Sequence, residues 1–236
     1  IELVDEMKEA LAVSRLPLAV EIADDIKQNL EKINHHGKRA DGIVKCMLQH
    51  SRSSSGVKEP TDINALADEY LRLAYHGLRA KDKSFNADFI TDFDATLPKI
   101  SVIPQDIGRV LLNLVNNAFY AVSTRNLSGS ANLTGLNNQP ESNLSGSANL
   151  TGLNYQPAVV VTTKNLGNFI EISVKDNGLG IPDEIMDKIF QPFFTTKPEG
   201  TGLGLSIVHK ILEQHQASID VISEENKGTT FVVKFP

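Results

Sequence analysis

The sequence predicts an α+β fold: a two-layer α/β sandwich with a mixed sheet covered by helices on one face, preceded by a long coiled-coil-like helical arm. Three observations lead there. Apolar residues recur at heptad spacing early in the chain. Period-two alternation marks several later segments. Amphipathic helical stretches lie between those segments, and strands and helices mixed with antiparallel hairpins are the pattern of such a sandwich.

The arm runs from about Leu18 to Ser51. Ile26, Ile33, Ala40 and Met47 recur every seven residues, with Leu30, Gly37 and Val44 interleaved at four-then-three spacing, the seam of a coiled coil or helical hairpin. The polar run Ser53-Ser54-Ser55-Gly56 reads as a hinge, dividing a helical arm (residues 1–56) from a compact domain (57–236). Pro60-Thr61-Asp62 then offers a cap for a helix carrying Ile63, Leu66, Tyr70, Leu73 and Leu78. Strands are predicted over Asp88–Asp94, Lys99–Ile103, Ala158–Lys164, Phe169–Lys175, Ala217–Ser223 and Thr229–Phe235. Helical period fits Gln105–Val122, Pro182–Phe190 and Gly202–Gln214.

One segment breaks this rhythm. NLSGSANLTGLN stands at Asn126–Asn137 and again, unchanged, at Asn143–Asn154, and Glu141 is the only charge from Asn126 to Pro157. Gly, Ser and Asn in this density read as a flexible surface insertion over 126–157. Its removal from Asn126 to Gln156 is expected to leave ligand binding unchanged.

Composition narrows the function classes. The 236 residues are 41% hydrophobic and 22% charged, ordinary globular usage that excludes wholesale disorder. A net charge of −6 argues against wrapping nucleic acid or lying on an anionic membrane. Cys46 is the only cysteine, which excludes a disulfide framework and a Cys-rich zinc site. The sequence shows no apolar run of bilayer length and no signal-peptide pattern, so a cytoplasmic location without direct membrane contact is expected. It begins at Ile1, so a piece of a longer protein is expected, with room upstream for a sensor or membrane anchor.

Chemistry concentrates in a few motifs. Asn113, Asn116 and Asn117 sit in an otherwise apolar helix, where Asn is a mediocre former. Asn113 and Asn117, four apart, share a face on which carboxamides could meet a hard cation or phosphate; a satisfied structural pair is the alternative. Asp176-Asn-Gly178-Leu-Gly180-Ile181 follows a strand. Its glycines let backbone approach a planar ligand while the carboxylate accepts from an amine. Gly200-Thr201-Gly202-Leu203-Gly204-Leu205 opens a helix and can cradle phosphate, although it lacks the Lys of a Walker loop and the Rossmann spacing. Between these two lies Phe190-Gln-Pro-Phe-Phe-Thr-Thr-Lys197, the composition of a lid.

Taken in order, these motifs resemble the N, G1, F and G2 boxes of the sensor histidine kinases of two-component signalling, and Gly228-Thr-Thr-Phe231 resembles their closing G-T-x-F element. The resemblance covers Pro60 to Pro236 apart from the insertion, and the arm is similar to the second helix of the dimerisation hairpin. It implies the fold shared with gyrase, heat-shock chaperones and mismatch-repair ATPases. It also implies a core that transfers the γ-phosphoryl group of ATP to a histidine for relay to a response regulator, and a homodimer formed through the arm. Residue by residue, it implies that Asn117 coordinates Mg²⁺, that Asn113 supports the triphosphate, and that Lys197 in the lid contacts phosphate. Asp176 would read the adenine amine with Gly178 and Gly180 beside it. Ile181, Phe190, Thr201, Gly202, Leu203, Gly204, Leu205 and Thr230 complete the nucleotide set.

Two departures from the family stand out: the lid from Pro198 to Gly200 is a residue or two short, and the phosphoacceptor box is missing. None of His35, His36, His50, His76, His209 and His215 is followed by an acid, so the acceptor is expected upstream of Ile1. Two other readings are a nucleotide-gated ATPase clamp of the same superfamily and a scaffold that no longer binds ATP. Asn113 disfavours the clamp: hydrolytic relatives carry Glu there as general base, and an Asn cannot take a proton.

Overall fold

The structure, a computed structural model, describes residue 4 and residues 16–51, 56–134, 155–198 and 200–236. These fall into two compact units, one holding the described parts of Ile1–Ser53 and Phe193–Leu203, the other those of Ser54–Pro192 and Gly204–Pro236. Among the described residues no helix is long and apolar enough to cross a membrane.

In the first unit a single helix, α1, spans Leu16–Ser51. Pro17 lies in its first turn, where a missing N–H costs nothing. The predicted seam faces solvent in the single chain: Leu30, Ile33 and Val44 are 59%, 66% and 53% exposed, whereas Ala19 and Ile22 are buried.

The second unit begins with β1 (Glu59–Thr61), α2 (Ile63–Lys81), β2 (Asp88–Phe93), β3 (Ile100–Val102) and α3 (Pro104–Thr134). It continues with β4 (Ala158–Asn165), β5 (Ile170–Asp176), α4 (Asp183–Met186), α5 (Gly204–Gln214), β6 (Ser218–Glu224) and β7 (Gly228–Phe235). Asp62 caps α2, its carboxylate accepting from the Ala65 N–H at 3.1 Å. The segment before that cap, which the sequence presents as a break, is a short strand: β1 pairs antiparallel with β3, apart from the main sheet. The main sheet has the order β2-β4-β5-β7-β6, with β2 parallel to β4 and every other pair antiparallel.

Strand parity divides the two faces of this sheet. Val159, Val161, Ile170, Ile172, Val174, Phe231, Val233 and Phe235 are all buried on the helix-covered face. Helix α3 packs there against β4, β5 and β7, flanked by α2 and α5. Tyr75, Phe89 and Phe119 close one end, with the Tyr75 ring centroid 4.9 Å from Phe89 and 5.9 Å from Phe119.

Two helices differ from the prediction by more than two residues. Helix α3 continues past Val122 to Thr134, into the first copy of the repeat, where no Pro stops it and a lone Gly129 costs only about 1 kcal/mol. The rest of that copy and all of the second lie outside the described residues. Conversely, α4 ends at Met186. Lys188 and Gln191 then donate to carbonyls three residues back, a run of tight turns in place of an α-helix reaching Phe190.

Candidate functional site

Asp176 is the last residue of β5 and pairs across with Val159. Parity therefore sends its carboxylate to the same covered face as Val174 and Ile172, and it is 3% exposed. Two backbone amides point at it: Oδ1 accepts from the Gly178 N–H at 2.8 Å and from the Thr229 N–H at 3.3 Å. Burial pushes its pKa up to about 6, against the opposing pull of those amides. Two amide donors leave acceptor capacity on a carboxylate with about four lone-pair sites.

The turn after Asp176 is fastened on several sides. A Cβ at Gly178 would stand 2.6 Å from the backbone carbon of Ala121, so only glycine lets this turn lie on α3. Gly180 has φ of +74° and sits against the Glu224 carbonyl, again a place for glycine. The β6–β7 turn holds the far side: Asn226 N–H donates to the Leu179 carbonyl at 2.7 Å, and Ile181 N–H donates to Ser223 Oγ at 2.8 Å. Asn177 faces away from this group. Its Oδ1 accepts from the Ala158 N–H at 2.9 Å and the Tyr155 hydroxyl at 3.1 Å, and its Nδ2 donates to the Gln156 carbonyl at 2.8 Å.

On α3, Asn113 and Asn117 are both half-buried. Asn113 Nδ2 donates to the Arg109 carbonyl one turn back at 2.9 Å, which aims its Oδ1 at the start of α5: a Cβ on Gly204 would lie 2.9 Å from that oxygen. Phe190 is half-buried with its ring centroid 5.7 Å from that of His209, on α5. Leu205 follows Gly204 in the first turn of α5 and is half-buried.

Lys197, Thr201, Gly202 and Leu203 belong to the other unit. There Phe193 takes a left-handed φ of 67°, and Gly202 abuts its backbone. Thr195 Oγ1 accepts from the Lys197 N–H at 3.1 Å, and Thr201 Oγ1 from the Leu203 N–H at 3.4 Å. Burial lowers the Lys197 ammonium to about 8.

Thr230 is not brought to the face that carries Asp176: it pairs with Lys175 on the opposite face of the sheet. Its neighbour Thr229 is the residue that reaches Asp176 with its amide. The G-T-x-F spacing already contained that answer, because its Thr is Thr229. Arg125 and Tyr155, which contact the Asp176 turn, belong to none of the sequence motifs. The clue was Tyr155, the only aromatic in an otherwise Asn-, Gly- and Ser-rich stretch.

Residues 103–236 match the family described as histidine kinase-, DNA gyrase B-, and HSP90-like ATPase, over more than half of the chain. The chain belongs to this family. Among curated relatives, it is 32% identical to the sensor histidine kinase ZraS of Escherichia coli (strain K12) over 198 residues, covering 84% of this chain and 35% of that protein. It is 46% identical to sporulation kinase E of Bacillus subtilis (strain 168) over 200 residues, 84% of this chain and 22% of that protein. The chain thus spans about a third or less of these relatives. A nucleotide-free structure of the catalytic domain of histidine kinase ThkA aligns at 30% identity and a TM-score of 0.50, over 72% of this chain and 91% of that domain. The second unit is accordingly an ATP-binding domain of the histidine kinase type, with the mixed sheet and one-sided helical layer of that fold.

Proposed function

We propose that this chain is the ATP-binding and phosphoryl-transferring core of a protein histidine kinase. The observation that carries the proposal is the buried Asp176 carboxylate, held by two amides at a strand end with acceptor capacity remaining. Such a group suits the exocyclic amine of adenine, with Gly178, Gly180 and Ile181 forming the wall beside the base. Asn113, Asn117, Gly204 and Leu205 would face the phosphates, with Phe190 at the margin. Lys197, Thr201, Gly202 and Leu203, which belong to the other unit, would carry the lid role that the family resemblance implies. Phosphoryl transfer demands mostly positioning and neutralisation of charge, which carboxamides, an ammonium and a helix start provide.

Mg²⁺ fits this donor set. It keeps several waters and takes one or two protein oxygens plus phosphate, and the Asn117 carboxamide oxygen is a hard donor on the same face as Asn113. When bound, the ion would supply charge neutralisation between phosphates, while Asn113 stays oriented by the Arg109 carbonyl.

The acceptor would be a histidine outside this sequence, with a response regulator receiving the phosphoryl group next and the arm pairing with a second copy. Of the described histidines, His215 is buried and His209 lies against Phe190. The ATPase-clamp alternative gains nothing from the structure, since position 113 has no group able to deprotonate water. Incubation with labelled ATP–Mg²⁺ tests the proposal. Nucleotide binding is expected without labelling of this chain, and label is expected on an added segment carrying a His-Glu motif. Failure to bind ATP would overturn the reading, and an acid-labile, base-stable phosphate on His35 or His36 would place the acceptor on the arm.

A further inference from the structure

The Asp176 turn is tied to α3 by a side chain with no part in the reading above. Arg125 lies in α3 three turns beyond Asn113, immediately before the repeat. Its Nη1 donates to the carbonyls of Asn177 at 2.8 Å and Gly178 at 3.1 Å. Its guanidinium carbon stands 4.7 Å from the centroid of the Tyr155 ring, a stacking distance. The Tyr155 hydroxyl closes the circuit by donating to Asn177 Oδ1 at 3.1 Å, and it lies 3.3 Å from the Val122 carbonyl. Two carbonyls of one tight turn pointing at a single nitrogen would repel each other without a cation between them. A guanidinium satisfies both while remaining charged.

We propose that Arg125, seated on Tyr155, is a positioning residue for purine recognition: by gathering the Asn177 and Gly178 carbonyls it keeps the Gly178 N–H on Asp176 and fixes the direction of the carboxylate. The proposal rests on the adenine-reading role of Asp176. Arg125 acts from the outside of the turn through the peptide groups that follow Asp176. The peptide unit between Asn177 and Gly178 is bound at both ends, its N–H (that of Gly178) by Asp176 and its carbonyl (that of Asn177) by Arg125. Releasing the carbonyl end frees that peptide to rotate and take its N–H off the carboxylate.

ATP and ITP separate this role from a merely structural one, because ITP carries an oxo group where ATP carries the amine that Asp176 would accept from. Equilibrium titration of the full chain with each nucleotide, for wild type, Arg125→Met, Arg125→Lys and Tyr155→Phe, decides the matter, with thermal melts run in parallel. Arg125→Met should weaken ATP roughly tenfold and ITP less than threefold, collapsing the ATP-over-ITP preference. Arg125→Lys, able to meet a carbonyl but without the planar stack, should recover part of the preference. Tyr155→Phe keeps the ring beneath the guanidinium and loses only the hydroxyl, so it should fold and show a smaller loss in the same direction. If wild type itself does not distinguish ATP from ITP, the purine-reading role of Asp176 fails, and this proposal with it. If wild type does distinguish them and folded Arg125→Met or Tyr155→Phe keeps the full preference, Arg125 is not a positioning residue and the Asp176 reading stands.

Discussion

On α3 the carboxamides of Asn113 and Asn117 project from a continuous helix. The helix does not depend on them: Asn113 Nδ2 donates to the Arg109 carbonyl, but the helical backbone hydrogen bonds do not need either side chain. At the end of β5 the backbone is itself the recognition device. The Asp176 carboxylate is placed by strand parity, held by the amides of Gly178 and Thr229, and framed by a turn that α3 and the β6–β7 turn both touch. One half of the candidate site is made of side chains on a scaffold that stands without them. The other is made of the scaffold. Substitutions should therefore separate function from folding on α3 and confound them at the turn, with Asp176 itself as the exception.

The largest effect tests that exception. Asp176→Asn keeps an oxygen for the Gly178 and Thr229 amides but presents a donor amide in place of a second acceptor oxygen. A hydrogen bond to a charged group is worth about 1.5–3 kcal/mol. ATP affinity should fall roughly ten- to a hundredfold with the melting temperature little changed. Unaltered affinity by calorimetry would dismiss Asp176 as the purine reader. Gly178→Ala comes next and should behave in the opposite manner. Its methyl meets the backbone of Ala121, which cannot rotate away, and such overpacking costs about 1–3 kcal/mol of stability. A stable alanine variant with normal binding would show that the turn is looser than its contacts imply.

The unequal legibility of the two halves has the same origin. Asn113 and Asn117 are readable from four-residue spacing in a predicted helix, and Asp176 from its place before two glycines. The faces of β4, β5 and β7 follow from alternation. Arg125 is not readable, because its partners are carbonyls that exist only once the turn has formed, and any long donor at a helix end looks alike in sequence. The parallel pairing of β2 with β4, which are distant along the chain, is likewise invisible to local periodicity. Thr229 and Thr230 look alike in sequence, yet in a strand one residue is the other face, and only Thr229 directs its amide at Asp176.

Asn117→Ala should cost about 1 kcal/mol of ATP binding, a fewfold change, when Mg²⁺ is present, and less when the ion is chelated. The melting temperature should barely move or rise, because Ala favours a helix more than Asn does. Equal losses with and without Mg²⁺ would remove Asn117 as the metal ligand.

The pH dependence is smaller and has a definite sign. The folded Asp176 pKa of about 6 lies above its ordinary value near 4. Its contribution to the stability of the nucleotide-free chain is therefore fully present below pH about 4 and is lost as pH rises through about 6. ATP binding runs the other way, since the amine needs the ionised acceptor. Affinity should drop severalfold as pH falls from about 7 to about 5. Asp176→Asn, titrated in parallel, removes this component and leaves the titration of the phosphates; identical pH profiles for the two chains would contradict the assignment.

The smallest expected effect concerns the repeat, and it places a boundary that composition drew too wide. The Gly-, Ser- and Asn-rich stretch reads as one insertion over 126–157, yet α3 extends through Thr134 and Tyr155 is hydrogen-bonded to the Asp176 turn. Two deletions distinguish the expendable part from the attached part. Removing residues 135–154 and closing the gap with a short Gly-Ser linker retains Arg125, the end of α3 and Tyr155. Loop-closure entropy varies slowly with length, by about 0.6 kcal/mol per doubling, so both melting temperature and ATP affinity should stay within error. Removing Asn126–Gln156 takes away the Tyr155 ring and hydroxyl, leaves the Arg125 guanidinium without its stack, and unties Asn177. That deletion should lower the melting temperature and weaken ATP in the manner of Arg125→Met. Were the shorter deletion to do the same, the repeat itself would be packing on the domain; were the longer one harmless, the tie between Arg125, Tyr155 and Asn177 would be decoration on a turn that stands without it.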